Sequence, residues 1–208
     1  MPTPAVFLFA WLFFFVAPAM GAPVILAFGD SLTAGFGVNQ QESYPARLQS
    51  LLKEEGYSYK VVNAGVSGDT TAGGLRRIDW LLKHKPSIVI LELGANDGLR
   101  GLPLEEMESN LETIILTCQK QGARVLLAGM KIPPNYGEDY TKGFETVFSK
   151  LAEKHGTGFI PFFLENVAAV QELTRPDGIH PVGEGYAVVV QTVWEYLKPM
   201  LERQEASR

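Results

Sequence analysis

Residues 24–37 read VILAFGDSLTAGFG, and this stretch decides the fold. The run from Val24 to Phe28 is short, apolar and unbroken, as in a strand covered on both faces rather than one with a wet side. It stops at Gly29, and a small polar loop holding Ser31 follows. A buried strand that ends beside a serine among glycines is either a plain turn or a hydroxyl presented for chemistry.

Downstream the chain alternates. Residues 43–56, 70–86, 103–122, 143–156 and 181–201 carry helical apolar spacing, with Gly or Pro at their ends. Residues 59–65, 87–94, 124–130 and 158–162 are short β-rich runs. Strands that alternate with helices imply βαβ crossovers, so the expected fold is a three-layer α/β domain with a five-stranded parallel sheet and helices on both faces. In such sheets ligands bind outside the carboxyl ends of the strands. The segments expected there are GDSLTAG, GVSGD, GANDGLRG, KIPPNYG and RPDGIHP. Plain turns do not need that concentration of Asn, Asp, Ser and His.

The chain has 208 residues, is 46% hydrophobic and 20% charged, and carries a net charge of −5, which suits one globular domain and argues against a nucleic-acid partner. Cys118 is the only cysteine, so no intramolecular disulfide forms. It lies in the helical pattern LETIILTCQK and reads as a core thiol rather than a nucleophile. One Cys and three scattered His give no metal-ligand spacing. Residues 1–21 hold no charged side chain, and the apolar run from Ala5 to Ala17 has the length of a signal-peptide core. Small residues at Ala19 and Gly21 set the expected cleavage after Gly21 or Ala22, leaving 22–208 as the folded domain in the periplasm or medium. No Lys or Arg precedes the run, so an uncleaved membrane anchor is the alternative.

A serine hydroxyl becomes a nucleophile when a base takes its proton, and histidine oriented by a carboxylate is the usual base. His84 and His155 sit among lysines at helix ends, where cationic side chains suit the dipole and where solvated turn residues are expected. His180 differs: it follows Asp177 by three residues, within reach of that carboxylate across one turn. The bland reading of Asp177 is a helix-capping loop residue beside an unrelated histidine. Acyl transfer also needs donors for an oxyanion. The N–H groups of Ser31 and Gly68 and the amide of Asn96 are the candidates, against plain turn roles for Gly68 and Asn96. Asp30 is expected to be structural, accepting loop N–H bonds.

These blocks resemble the SGNH, or GDSL, hydrolase superfamily, whose marker residues Ser, Gly, Asn and His match Ser31 in GDSLTAG, Gly68 in SGDTTAGG, Asn96 in GANDGLRG and His180, with Asp177, in DGIHP. The likeness spans residues 24–186 and is greatest to a bacterial periplasmic thioesterase I/lysophospholipase/arylesterase group. It implies a flavodoxin-like sheet, no metal or cofactor, and a Ser31–His180–Asp177 triad acting on aryl and short-chain to medium-chain esters, acyl-thioesters and lysophospholipids, without an obligate protein partner. It also implies a mobile segment at 98–103 and acyl-site walls from Gly98, Leu99, Ile132, Pro133, Tyr136 and Ile179. Two other readings stay open: a carbohydrate acetylesterase on the same triad, and a flavodoxin-like ligand-binding module. The latter leaves Asn96, Asp177 and His180 without a task.

Overall fold

The computed structural model describes residues 21–205, and all but the last residue of the expected signal segment, 1–21, lies outside them. Five parallel strands form one sheet in the order β2-β1-β3-β4-β5. They are β1 (Val24–Gly29), β2 (Lys60–Gly65), β3 (Pro86–Glu92), β4 (Arg124–Ala128) and β5 (Gly158–Ile160). The unbroken apolar runs belong to the strands with two neighbours: Ile25–Phe28 and Ile88–Leu91 are fully buried. The edge strand β2, with Lys60 and Asn63 exposed, is the more polar one.

The helices are α1 (Ser31–Ala34), α2 (Tyr44–Glu54), α3 (Thr71–Leu81), α4 (Ala95–Leu99), α5 (Leu104–Lys120), α6 (Glu138–His155) and α7 (Gly183–Glu205). Helices α2 and α7 pack together, while α5 lies between α3 and α6 in the other layer. Each buries one stripe. Met107, Leu111, Ile114, Ile115 and Cys118 are the buried line of α5, at helical spacing. Phe144 and Phe148 of α6 meet edge-to-face at 5.3 Å in the same layer. Among the described residues no helix is long and apolar enough to cross a membrane.

Several boundaries differ from the sequence expectation. Helix α6 begins at Glu138 rather than at Gly143, with Glu138 and Asp139 in its positive first turn. Gly143 is therefore internal, and a Cβ there would come within 2.8 Å of Leu104. Strand β5 stops at Ile160 because Pro161 has no N–H for the ladder. The loops expected to hold Ser31 and Asn96 are the short helices α1 and α4, too brief to show an amphipathic repeat.

The strand order places the topological switch at β1, whose neighbours lie on either side. The register brings the last residue of β1, Gly29, level with Gly65 of β2 and Glu92 of β3. Three loops therefore leave the sheet side by side, carrying Ser31, Gly68 and Asn96. The approach at Gly65 is close enough to exclude any side chain, since a Cβ would overlap the backbone nitrogen of Ala34 in α1. Gly65→Ala should destabilise the protein by about 1–3 kcal/mol or more, because backbone rather than a movable side chain must yield. Urea unfolding checks this, and an unchanged midpoint would show that α1 does not lean on β2.

Candidate active site

Ser31 opens α1. Asp30 is the N-cap of that helix, and its Oδ1 accepts the Leu32 N–H at 3.0 Å. As the first residue of α1, Ser31 has an N–H with no acceptor within the helix. Ser31 Oγ stands 2.9 Å from His180 Nε2. His180 Nδ1 stands 2.9 Å from Asp177 Oδ2. Residues 149 positions apart in sequence thus form one line of hydroxyl, imidazole and carboxylate.

Asp177 is positioned by its own turn. Its Oδ1 accepts the N–H groups of Ile179 and His180, both at 2.9 Å. The turn is closed by the Arg175 N–H donating to the His180 carbonyl at 2.8 Å. Burial pushes the Asp177 carboxyl up, but the two backbone N–H groups and the His180 ring outweigh it and hold it at about 2. This carboxylate therefore stays ionised well into acid. Phe36 tilts against the His180 ring at 4.8 Å, and the Arg175 guanidinium lies over the Phe36 ring, 5.7 Å from its centroid.

The oxyanion candidates come from the neighbouring loops. Gly68 sits at φ +80°, a conformation that glycine adopts without strain, one residue before the Asp69–Thr70 cap. Thr70 is the residue that caps α3, accepting the Gly73 N–H at 3.3 Å, while Asp69 pairs with Arg77 at 2.8 Å. Asn96 Nδ2 donates to Asp30 Oδ2 at 2.8 Å, which leaves the second N–H of the amide for another acceptor. Asp97, buried next to it, accepts the Thr71 N–H at 2.9 Å and the Thr71 hydroxyl at 2.6 Å. That pair ties the Gly68 loop to the Asn96 helix.

The expected acyl-site residues fall into two groups. Gly98 and Ile132 are buried, and a Cβ on Gly98 would lie 2.9 Å from Ile132 and 2.5 Å from Phe144, so both pack inward. Leu99, Tyr136 and Ile179 are half-buried and Pro133 is exposed. Segment 98–103, expected to be mobile, is tethered: the Tyr136 and Tyr140 hydroxyls donate to the Leu99 and Leu102 carbonyls, each at 2.7 Å.

Several residues escaped the sequence reading. Arg77 donates to Asp69, to the Ala64 carbonyl at 2.6 Å and to the Gly29 carbonyl at 2.9 Å, clamping the ends of β1 and β2. Its place in a charged helix, LRRID, gave no hint of this. Arg100 reaches back to the Gly68 carbonyl at 2.8 Å. Glu92 is wholly buried behind the Ser31 turn, and the signal for it was present, as a lone acid in the apolar run SIVILELG. His155 is not a solvated turn residue: it is largely buried and bonds Glu112 at 2.7 Å. Cys118 is a buried core thiol whose pKa burial pushes up to about 12. Among the described residues no cluster of His, Cys, Asp and Glu could hold a metal.

The sequence model of the GDSL-like lipase/acylhydrolase family matches residues 27–188. An esterase named TesA from Pseudomonas aeruginosa is 44% identical over 181 residues, 86% of this chain and 90% of that one. Thioesterase 1/protease 1/lysophospholipase L1 of Escherichia coli strain K12 is 36% identical over 196 residues, 94% of this chain and 92% of that one. The crystal structure of a psychrotrophic esterase, EstA from Pseudoalteromonas sp., inhibited by monoethylphosphonate, superposes with a TM-score of 0.82 at 35% identity, covering 86% of this chain and 98% of that one. The chain belongs to the GDSL-like lipase/acylhydrolase family and is an SGNH hydrolase.

Proposed function

We propose that this protein is a serine esterase and thioesterase that works through an acyl-enzyme on Ser31. The observation that carries the reading is the pair of 2.9 Å contacts linking Ser31 Oγ, His180 and Asp177 Oδ2. His180 Nε2 takes the Ser31 proton as Oγ attacks the acyl carbon, and Asp177 holds the ring in the tautomer that leaves Nε2 basic. The carbonyl oxygen gains charge, met by the N–H groups of Ser31 and Gly68 and by the second amide N–H of Asn96. His180 returns the proton to the departing alcohol or thiol. Water, deprotonated by the same ring, then releases the acid and restores Ser31.

The names of the relatives, among them an arylesterase of Vibrio mimicus, support carboxylic esters, including aryl esters, together with acyl-thioesters and lysophospholipids as the substrate class. Relatives 36–44% identical over most of the chain carry esterase and thioesterase names, which favours this class over a carbohydrate acetylesterase. Residues 1–21 act as an export signal in this reading, placing residues 22–208 in the periplasm or medium as the working domain. N-terminal sequencing of the exported protein tests that part, and a native Met1 on it would favour an anchor.

Turnover of a panel of p-nitrophenyl esters and acyl-thioesters is the test of the reaction. Ser31→Ala should lower kcat by up to about 10⁶ where the three groups act as a unit. Cys118→Ser should turn over nearly as wild type. Ser31→Ala with turnover close to wild type would end the serine mechanism.

Asn96 has a separate test. Charge on the acyl oxygen is small in the bound ester and full in the tetrahedral intermediate, so Asn96→Ala should lower kcat by roughly 10² to 10³, about 2.7–4 kcal/mol, with KM little changed. Asn96→Asp should be at least as damaging and should also lower the melting temperature, because it sets a carboxylate against Asp30 Oδ2. A full kcat for Asn96→Ala, with only the melting temperature reduced, would return Asn96 to a turn role.

A further inference from the structure

Glu92 closes β3 beside Gly29, is fully buried, and is used by no step above. Its Oε2 accepts the Asp30 N–H at 3.3 Å and the Thr33 hydroxyl at 2.7 Å, one group on each side of Ser31. Glycine at 29 makes room for this contact, since a Cβ would overlap both Thr33 Oγ1 and Glu92 Oε2. The other oxygen, Oε1, is buried with no hydrogen-bond partner. The titratable groups that face Glu92 are Asp30 from the β1–α1 turn, Tyr44 from α2 and Tyr186 from α7. None of them is a cation, so a second negative charge here would stand unpaired in the interior.

Asp30 is also buried, but donors reach both of its oxygens, the Leu32 N–H on Oδ1 and the Asn96 amide on Oδ2, whereas those on Glu92 reach Oε2 alone; the His180 ring also faces Asp30. Asp69 is the other acid that faces it. Two adjacent carboxyls in one apolar site hold one charge between them, and it settles where the donors are. We propose that Glu92 is a positioning residue that works as an uncharged acid, fixing the Asp30–Thr33 backbone from behind and leaving Asp30 with the single negative charge that aims the Asn96 amide. Burial pushes Glu92 well above the usual carboxylate range, in accord with a neutral group. The role rests on the reading of Ser31 and Asn96 given under the proposed function.

The role separates from mere packing by which variant rescues it. Glutamine keeps the size of Glu92, an acceptor oxygen for Asp30 and Thr33, and no charge. Glu92→Gln should therefore hold kcat within about threefold, whereas Glu92→Leu, which removes the acceptor and frees the turn, should lower kcat on the order of 10²-fold with KM little changed. Infrared difference spectra of wild type minus Glu92→Gln at pH 7 read the protonation state directly, also where Glu92→Leu fails to fold. A carboxylic-acid carbonyl band is expected in wild type. A carboxylate band in its place, or a Glu92→Gln variant with kcat reduced as far as the leucine variant, would overturn the proposal. Ser31→Ala measured alongside keeps the two readings apart. If it turned over ester like wild type, the site reading and the positioning role would both fall, whereas a carboxylate band in an enzyme that Ser31→Ala silences would overturn the role of Glu92 alone.

Discussion

The hydrogen bonds of the Asp30 carboxyl are the constraint on which the site depends. One oxygen caps α1 and so sets the helix on which Ser31 is the first residue. The other holds the Asn96 amide 66 residues further along the chain. A single buried side chain therefore fixes the proposed nucleophile and the proposed oxyanion donor relative to each other. Neither β1 nor β3 could do this alone, because their loops leave the sheet separately. The strand order matters for the same reason: only neighbouring strands at the switch bring those two loops within one side chain's reach.

Around that bond the protein separates its acids by environment. Asp177, at the rim and rich in N–H donors, is held at about 2 and keeps its charge beside His180. Asp30 and Glu92, under the Ser31 turn, are both pushed upward by burial. Carboxyls driven apart in this way take different tasks. Asp177 hydrogen-bonds the His180 ring, while Asp30 and Glu92 hold the Ser31 turn and Asp30 also holds the Asn96 amide. Arg77 completes the brace, since its guanidinium spans the Gly29 and Ala64 carbonyls and covers Phe28 at 4.4 Å.

The sheet and its long helices were legible because their signals are local. Period-3.6 stripes and unbroken apolar runs need no knowledge of partners: α2, α3 and α5 lie within the segments read from them, and α7 overlaps its segment and runs on to Glu205. The polar segments were legible as a group because the rule for open α/β sheets assigns all of them to one edge. What stayed hidden depends on distant partners. Arg77 looks like a surface helix residue until its three acceptors, on β1, β2 and the β2–α3 loop, are seen. His155 looks solvated until Glu112 of α5 covers it. Helices α1 and α4, at four and five residues, are held by caps and neighbours rather than by a periodic pattern. Glu92 was visible as an odd charge in a buried strand, yet its Thr33 contact exists only because Gly29 gives it space.

The central claim is that Ser31 is the nucleophile, activated by a histidine 2.9 Å away. The most direct measurement treats the protein with an organophosphonate ester and maps the adduct by mass spectrometry of the digested chain. Phosphonates form a covalent bond with an activated serine oxygen and leave unactivated hydroxyls untouched. The account predicts one adduct, on Ser31, formed in step with the loss of ester turnover and absent from Ser31→Ala. An inactivated enzyme whose adduct lies on another residue, or that carries none, would contradict it.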